Sequence, residues 1–123
     1  MEVSHDLPII LIVEDELFIR LMAADILSDI GVVVYEASCA EEALDILRCH
    51  PDISLLFTDI DMPGALNGLG LAALVHEKWP DIALIVTSGG QLLNDDDIPD
   101  GGTFLPKPYR ASELELLARE KLA

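Results

Sequence analysis

Five polar residues stand at or just beyond the ends of short apolar stretches, and their side chains could act together. Glu14 and Asp15 follow the first such stretch, and Asp59 ends the third. Thr87 and Lys107 follow the fourth and the fifth. Two carboxylates ~4 Å apart repel by about 4 kcal/mol at an effective dielectric near ~20, so the three acids together need a cation or a raised pKa.

The chemistry that this set could perform is the binding of a phosphoryl group. A hard divalent ion such as Mg²⁺ prefers oxygen ligands and suits the three carboxylates. The metal and Lys107 would neutralise phosphoryl oxygens while Thr87 donates a hydrogen bond. Asp59 would then be a metal ligand, a nucleophile or both.

The five apolar stretches are typical of buried strands, because they are short, mostly aliphatic or β-branched, and bounded by turn formers. We expect strands at residues 9–13, 32–36, 54–59, 82–86 and 103–105. Apolar residues at helical spacing predict helices over residues 19–30, 69–78 and 112–122. A further helix should open at the capping box Ser38-x-x-Glu41 and end before Pro51.

Strands that alternate with helices form parallel sheets through right-handed crossovers, and nearly all-apolar strands require helices on both faces. The predicted fold class is therefore α/β, a doubly wound sandwich of about five strands. All strands of such a sheet end at one edge, where open α/β sheets bind their ligands. The five polar residues should converge there.

Composition and charge restrict the class of protein. With 123 residues, of which 51% are hydrophobic, the chain fits one domain over residues 1–123 with a sizeable core. The formal net charge of -16 disfavours nucleic acids and anionic membranes as direct partners. No apolar run approaches the ~18 residues of a membrane helix, and the start lacks the basic segment of a signal peptide, so we expect a cytoplasmic protein.

Taken as a set, these motifs resemble the receiver domain of two-component response regulators over essentially the whole chain. The matching pieces are the acid pair in LIVEDE, Asp59 in LLFTDIDMPG, Thr87 in LIVTSG, and Phe104 with Lys107-Pro108 in FLPKPY. The resemblance implies a flavodoxin-like, five-stranded parallel sheet in the order 2-1-3-4-5. It also implies a signalling protein whose only catalysis is its own phosphorylation and dephosphorylation.

The resemblance assigns a role to each acid. Asp59 is implied to accept a phosphoryl group from a phosphohistidine on a sensor histidine kinase or a histidine phosphotransfer protein. The side chains of Asp15 and Asp59 are implied to bind Mg²⁺. The main-chain carbonyl of Asp61 would add a ligand, and Glu14 would help through water.

The remaining matched residues are implied to respond to the phosphoryl group. Lys107 would pair with it, and Thr87 would close onto its oxygens. Phe104 would turn inward into the space left behind, which couples the site to the outer face around the last strand. The peptide bond between Lys107 and Pro108 is implied to be cis.

The stretch 91–102 departs from the family, which has its fourth helix there. Two glycines before it, a proline near its end and several mediocre helix formers leave room for at most about two turns. We therefore predict a short or irregular fourth helix, pinned by Leu92, Leu93 and Ile98, with residues 95–97 in water. The resulting acidic face would suit a basic partner better than a symmetric dimer.

Two alternatives remain open. The pair Asp59-x-Asp61 after an apolar strand resembles the nucleophile and general acid of haloacid dehalogenase phosphatases, although Pro63 stands where that motif expects threonine. The other alternative is a receiver fold used only for binding. The presence of Asp59, Thr87 and Lys107 as an intact set argues against it. Since no output domain follows the last predicted helix, we expect a stand-alone receiver.

Overall fold

The computed structural model of the chain describes residues 7–123, apart from the side chain of Asp100. The strands are β1 (Ile9–Val13), β2 (Val33–Ala37), β3 (Leu55–Asp59), β4 (Ala83–Ser88) and β5 (Thr103–Pro106). The helices are α1 (Leu17–Ser28), α2 (Ala40–Cys49), α3 (Gly68–Lys78) and α4 (Ala111–Leu122). The predicted domain range, 1–123, begins with six residues that lie outside the described ones.

The five strands form one parallel sheet in the order β2-β1-β3-β4-β5. This confirms the predicted α/β fold class and strand order. β3 lies in the centre of the sheet, and all of its residues are buried. Strands buried on both faces consist almost wholly of apolar residues, which is why the hydrophobic runs of the sequence located them.

The helices cover the sheet in two layers, with α1 and α4 on one face and α2 and α3 on the other. Side chains alternate between the two faces of a strand, so each strand contributes to both layers. The layer under α1 and α4 includes Ile10, Ile12, Leu27, Leu55, Phe57, Ile85 and Leu114. The layer under α2 and α3 includes Leu11, Leu47, Leu56, Leu71, Val75 and Val86. Each such side chain stabilises the fold by about 1.5–3 kcal/mol relative to exposure, so both layers hold the strand ends in place.

The predicted capping box at the start of α2 is wrong. The helix begins at Ala40, and Cys39 precedes its first turn without a side-chain hydrogen bond to it. Because the helix begins one residue later than a Ser38 cap requires, the Glu42 carboxylate instead accepts the Ser38 N–H, at 2.6 Å. The acids of this first turn, Glu41 and Glu42, also suit the partial positive charge of a helix N-terminus.

No α-helix forms between β4 and β5. In its place are two single 3-10 turns, Asp95–Asp97 and Pro99–Gly101, which confirms the predicted short or irregular segment. Ile98 is buried between the turns, and Leu93 packs against the layer under α2 and α3. The prediction that Leu92 also pins the segment is wrong, because its side chain is 88% exposed.

Carboxylates of this segment bind the main chain as well as facing water. Residues 95–97 are exposed, as predicted. Asp95 Oδ1 nevertheless accepts the Phe104 N–H at 2.9 Å, and Asp97 Oδ2 accepts the Asn94 N–H at 3.0 Å. The segment is therefore tied to the edge strand β5 by a side chain.

Within residues 7–123, no helix is both long and apolar enough to cross a membrane.

Replacement of Gly68 by alanine should destabilise the fold and disturb the end of β3. Gly68 opens α3 against the main chain of Asp59 and Ile60, and a Cβ there would overlap the Asp59 carbonyl oxygen. Overpacking of this kind costs about 1–3 kcal/mol, which urea unfolding followed by circular dichroism would measure. Gly70→Ala in the same helix is the control, because its Cβ would first meet the flexible end of Leu66, at 2.5 Å. Equal stability of the two variants would contradict this prediction.

Candidate functional site

The polar residues at the strand ends share one face of the sheet because side chains alternate along each strand. Asp59 follows Phe57 by two positions in β3, and Thr87 occupies the same face in β4. Glu14 and Lys107 continue the alternation just beyond β1 and β5. The structure therefore brings these four predicted residues to the carboxyl edge of the sheet, on the face covered by α1 and α4.

An ion-pair network forms the centre of the site. The Lys107 Nζ atom lies 2.7 Å from Glu14 Oε1 and 3.2 Å from Asp59 Oδ2. The side chains of the two acids are only 5% and 4% exposed, and that of Lys107 is 17% exposed. Breaking a buried ion pair by removing one partner costs about 3–5 kcal/mol. Lys107 is therefore what allows two buried negative charges to share one site.

Burial and charge shift two pKa values in this network. Burial raises the pKa of Glu14 and the charge of Asp59 adds to the rise, although hydrogen bonds from Lys107 and from the Glu16 N–H oppose it. Burial by itself would lower the pKa of Lys107, but its hydrogen bond to Glu14 and the charges of both acids outweigh burial and raise that pKa. Lys107 is therefore charged at neutral pH.

Asp15 completes a cluster of three acids. Glu14, Asp15 and Asp59 each offer a carboxylate oxygen, and these atoms lie within 4.8 Å of one another. Asp15 is exposed, whereas Glu14 and Asp59 are buried. Oxygen donors with excess negative charge match the preference of a hard divalent cation. The residues present therefore fit Mg²⁺.

The carboxylate of Asp61 lies outside this cluster. Its oxygens accept hydrogen bonds from the Ser88 hydroxyl at 2.6 Å and from the Gln91 side-chain amide at 3.2 Å. The bond from Ser88 lowers the pKa of Asp61, with burial opposing and Gln91 assisting. The Asp61 N–H donates to Asp59 Oδ1 at 3.1 Å. Its main chain thus contacts the site while its side chain is directed away from it.

Ser88 and Gln91 are residues of this site that the sequence reasoning missed. Alternation along β4 sets Ser88 on the face opposite to Thr87, which could have directed attention to it. No sequence signal identifies Gln91, because its contact with Asp61 depends on the path of the chain after β4.

Thr87 lies beside Asp59 in the register of β3 and β4. Its side chain is buried, and its Oγ1 atom has no hydrogen-bond partner among the described residues. A buried polar group without a partner costs about 1–3 kcal/mol. A new acceptor near Asp59 would recover that free energy.

Phe104 lies in β5 beside Val86, the residue before Thr87. Its side chain is half-buried against the layer under α2 and α3. The Lys107-Pro108 peptide bond just beyond β5 is cis, as the resemblance implied. Phe104 is thus next to the site in the sheet but on its opposite face.

The model of the response regulator receiver domain family matches residues 10–119. The chain belongs to this family. The aerobic respiration control protein ArcA of Escherichia coli (strain K12) is 35% identical over 125 residues, covering 94% of this chain and 49% of ArcA. The sensor kinase CckA of Brucella abortus (strain 2308) is 30% identical over 117 residues, covering 92% of this chain and 12% of CckA. The chain thus spans half or less of the length of these curated relatives.

Solved structures show the same fold. The receiver domain of NtrX from Brucella abortus superimposes with a TM-score of 0.83 at 33% identity, over 92% of this chain and 97% of that domain. The chain is therefore a receiver domain of the response regulator type. This favours the receiver prediction over the haloacid dehalogenase alternative.

Loss of the Lys107 charge should destabilise the fold in a pH-dependent way. Lys107→Ala leaves Glu14 and Asp59 buried without their shared cation, so the free energy of unfolding at about pH 7.5 should fall by about 3 kcal/mol. The same loss raises the pKa of Glu14 further above its ordinary value of 4.5. The folded variant then keeps a proton that the unfolded chain releases, so its stability recovers as the pH falls towards that value.

Urea unfolding without divalent cations, at about pH 7.5 and about pH 5.5, measures this effect. Lys121→Ala is the control, because its amine donates to the Gly101 carbonyl at 2.7 Å in an exposed position. That variant should lose less than about 1 kcal/mol at both pH values. If the free energy of unfolding that Lys107→Ala loses is no smaller at the lower pH, buried carboxylate charge is not the cause of the loss.

Proposed function

We propose that Asp59 takes a phosphoryl group from a phosphohistidine in a reaction that requires Mg²⁺. The observation that carries this proposal is the position of a buried Asp59 carboxylate, 3.2 Å from Lys107 Nζ and inside an acidic cluster at the carboxyl edge of the sheet. Membership of the receiver family supports it.

The transfer exchanges one bond to phosphorus for another. An Asp59 carboxylate oxygen attacks the phosphorus, and an O–P bond forms as the P–N bond to the imidazole breaks. The electron pair of the broken bond stays on the imidazole nitrogen, which leaves. Water later attacks the acyl phosphate, giving inorganic phosphate and the free carboxylate. Because charge is spread over three phosphoryl oxygens, the main task of the protein is to neutralise and orient them.

We assign the metal to the side chains of Asp15 and Asp59 and to the main-chain carbonyl of Asp61, with Glu14 acting through water. When bound, Mg²⁺ neutralises phosphoryl oxygens and fixes their orientation. The acids alone would repel an anionic donor. The oxygen-only donor set of the cluster supports this assignment.

Lys107 supplies a second positive charge. Its ammonium group has three donor hydrogens, of which two serve Glu14 and Asp59. The third can be donated to an oxygen of the incoming phosphoryl group while both ion pairs are still in place. The side chains of Lys107, Glu14 and Asp59 are mostly buried, which strengthens this interaction relative to one at the surface.

Thr87 and Phe104 connect phosphorylation to the outer surface. A phosphoryl group on Asp59 gives the unpaired Thr87 hydroxyl an acceptor, which draws the end of β4 towards β3. Phe104 lies beside β4 and turns inward into the space that this movement leaves. The surface around β5 changes as a result, and a downstream protein recognises the change.

The phosphohistidine belongs to a sensor histidine kinase or a histidine phosphotransfer protein. The similarity to the sensor kinase CckA supports a partner of this class. Nucleic acids and anionic membranes are disfavoured as direct partners, because the net charge is -16.

Phosphorylation should require Asp59. Incubated with Mg²⁺ and acetyl phosphate, the protein should gain a single acid-stable, base-labile phosphoryl group, measured by intact mass. Asp59→Asn should not gain it, because an amide is not a carboxylate nucleophile. Asp15→Ala should bind Mg²⁺ about tenfold more weakly and react more slowly, since it loses one charged ligand. Equal phosphorylation of wild type and Asp59→Asn would make the central assignment wrong.

Thr87→Val should leave the stability of the protein intact but abolish its response to phosphorylation. Because the Thr87 hydroxyl has no described partner, its replacement by a methyl group should leave the unphosphorylated protein at least as stable as wild type. Thr58→Val is the control, since the Thr58 hydroxyl is also buried but donates to the Asp59 carbonyl at 3.0 Å. That variant should lose about 1 kcal/mol.

Hydrogen exchange tests the second part of this prediction, the role of Thr87 in the response to phosphorylation. Acetyl phosphate should alter exchange across residues 103–106 in wild type but not in Thr87→Val, even where intact mass shows that Asp59 is phosphorylated. If hydrogen exchange changes equally in both proteins, Thr87 has no part in the switch.

A further inference from the structure

Two neighbouring hydroxyl groups at the end of β4 differ in their hydrogen bonding. Thr87 Oγ1 has no partner among the described residues, whereas Ser88 Oγ makes three hydrogen bonds. It donates to Asp61 Oδ2 at 2.6 Å and accepts from the N–H groups of Gly90 and Gln91, each at 3.1 Å. A hydroxyl has one donor and two acceptor positions, so that of Ser88 is fully used. It joins Asp61 to the turn after β4.

The second carboxylate oxygen of Asp61 is held by the same turn. Gln91 Nε2 donates to Asp61 Oδ1 at 3.2 Å, so both oxygens are directed towards the end of β4. The Asp61 N–H nevertheless lies 3.1 Å from Asp59 Oδ1. The cluster of oxygens within 4.8 Å of one another contains Glu14, Asp15 and Asp59 but not Asp61. Asp61 is thus a fourth acid kept out of a cluster that its main chain touches.

A fourth carboxylate would change the cluster in two ways. Ligand charge tunes the affinity of such sites for divalent ions, so a cation would bind more tightly. The added carboxylate would also occupy a position at the metal that the transferred phosphoryl group needs, and its charge would repel that group. Metal affinity and phosphorylation rate would therefore move in opposite directions, which a general loosening of the site would not produce.

We propose that Ser88 and Gln91 are positioning residues that keep the Asp61 carboxylate out of the acidic cluster, so that Asp61 serves the metal through its main chain. The inference rests on the proposed function, because it concerns the metal used in that reaction. Ser88 contributes more than Gln91, since its bond to Asp61 is shorter and its side chain is almost completely buried, whereas Gln91 is exposed.

The test is a double-mutant cycle on Ser88 and Asp61. Isothermal titration calorimetry measures Mg²⁺ affinity of the unphosphorylated proteins, and intact mass measures their rate of phosphorylation by acetyl phosphate. Ser88→Ala should tighten Mg²⁺ binding about tenfold, because it releases a charged ligand. The same variant should be phosphorylated more slowly than wild type.

Asp61→Asn provides the matched background. Without a carboxylate to release, Ser88→Ala should change Mg²⁺ affinity by less than about twofold in this background. Gln91→Ala, made in the protein that keeps Asp61, should also tighten Mg²⁺ binding. Its effect should be smaller than that of Ser88→Ala, because it leaves the shorter bond to Asp61 intact.

Two outcomes would overturn the inference. If Ser88→Ala binds Mg²⁺ no more tightly than wild type, or if it tightens binding equally in both backgrounds, Ser88 merely stabilises the turn. Failure of the proposed function is distinguishable, because it would appear as wild-type protein that acetyl phosphate does not phosphorylate at Asp59. The Mg²⁺ affinities of the unphosphorylated proteins decide the role of Ser88 independently of that result.

Discussion

Lys107 follows the edge strand β5, yet its amine reaches Glu14 beyond β1 and Asp59 at the end of β3. Both acids are almost wholly buried, and a buried charge without a partner is among the most destabilising groups that a protein can contain. The main chain of Lys107 is held as well, because its N–H donates to the Ser88 carbonyl at 3.0 Å. Lys107 therefore links the carboxyl ends of four strands, β1, β3, β4 and β5, and the geometry of the site depends on it.

This arrangement is stable but leaves two deficits beside Asp59. One lysine faces three acids, so the cluster keeps excess negative charge. The Thr87 hydroxyl is buried next to it without a described partner. In the proposed function, a phosphoryl group with its Mg²⁺ corrects both deficits, because the metal balances the acids and a phosphoryl oxygen accepts from Thr87. The unphosphorylated state thus carries part of the free energy that drives the change.

Most of the fold could be predicted because its signals lie in consecutive residues. Apolar runs and helical spacing are local, and the common edge of the site follows from parallel topology alone. The errors occur where a contact depends on the path of a loop. Residue preference favours Ser38 over Cys39 as the residue before the helix, but the helix begins after Cys39 and the Glu42 carboxylate accepts the Ser38 N–H. Leu92 and Gln91 lie in a stretch without periodicity, so the sequence does not indicate which way their side chains point.

The segment between β4 and β5 replaces helix packing with side-chain hydrogen bonds. An edge strand has N–H groups with no neighbouring strand to accept them, and the Asp95 carboxylate accepts that of Phe104. At the other end of the segment, Gln91 binds Asp61, whose N–H donates to Asp59. Ile98 is buried between these two ties. One tie leads to Asp61, next to the acidic cluster, and the other leads to β5, the strand that carries Phe104. In the proposed function, this segment connects the site to the outer face through individual polar contacts, which can be broken singly, and not through the movement of a packed helix.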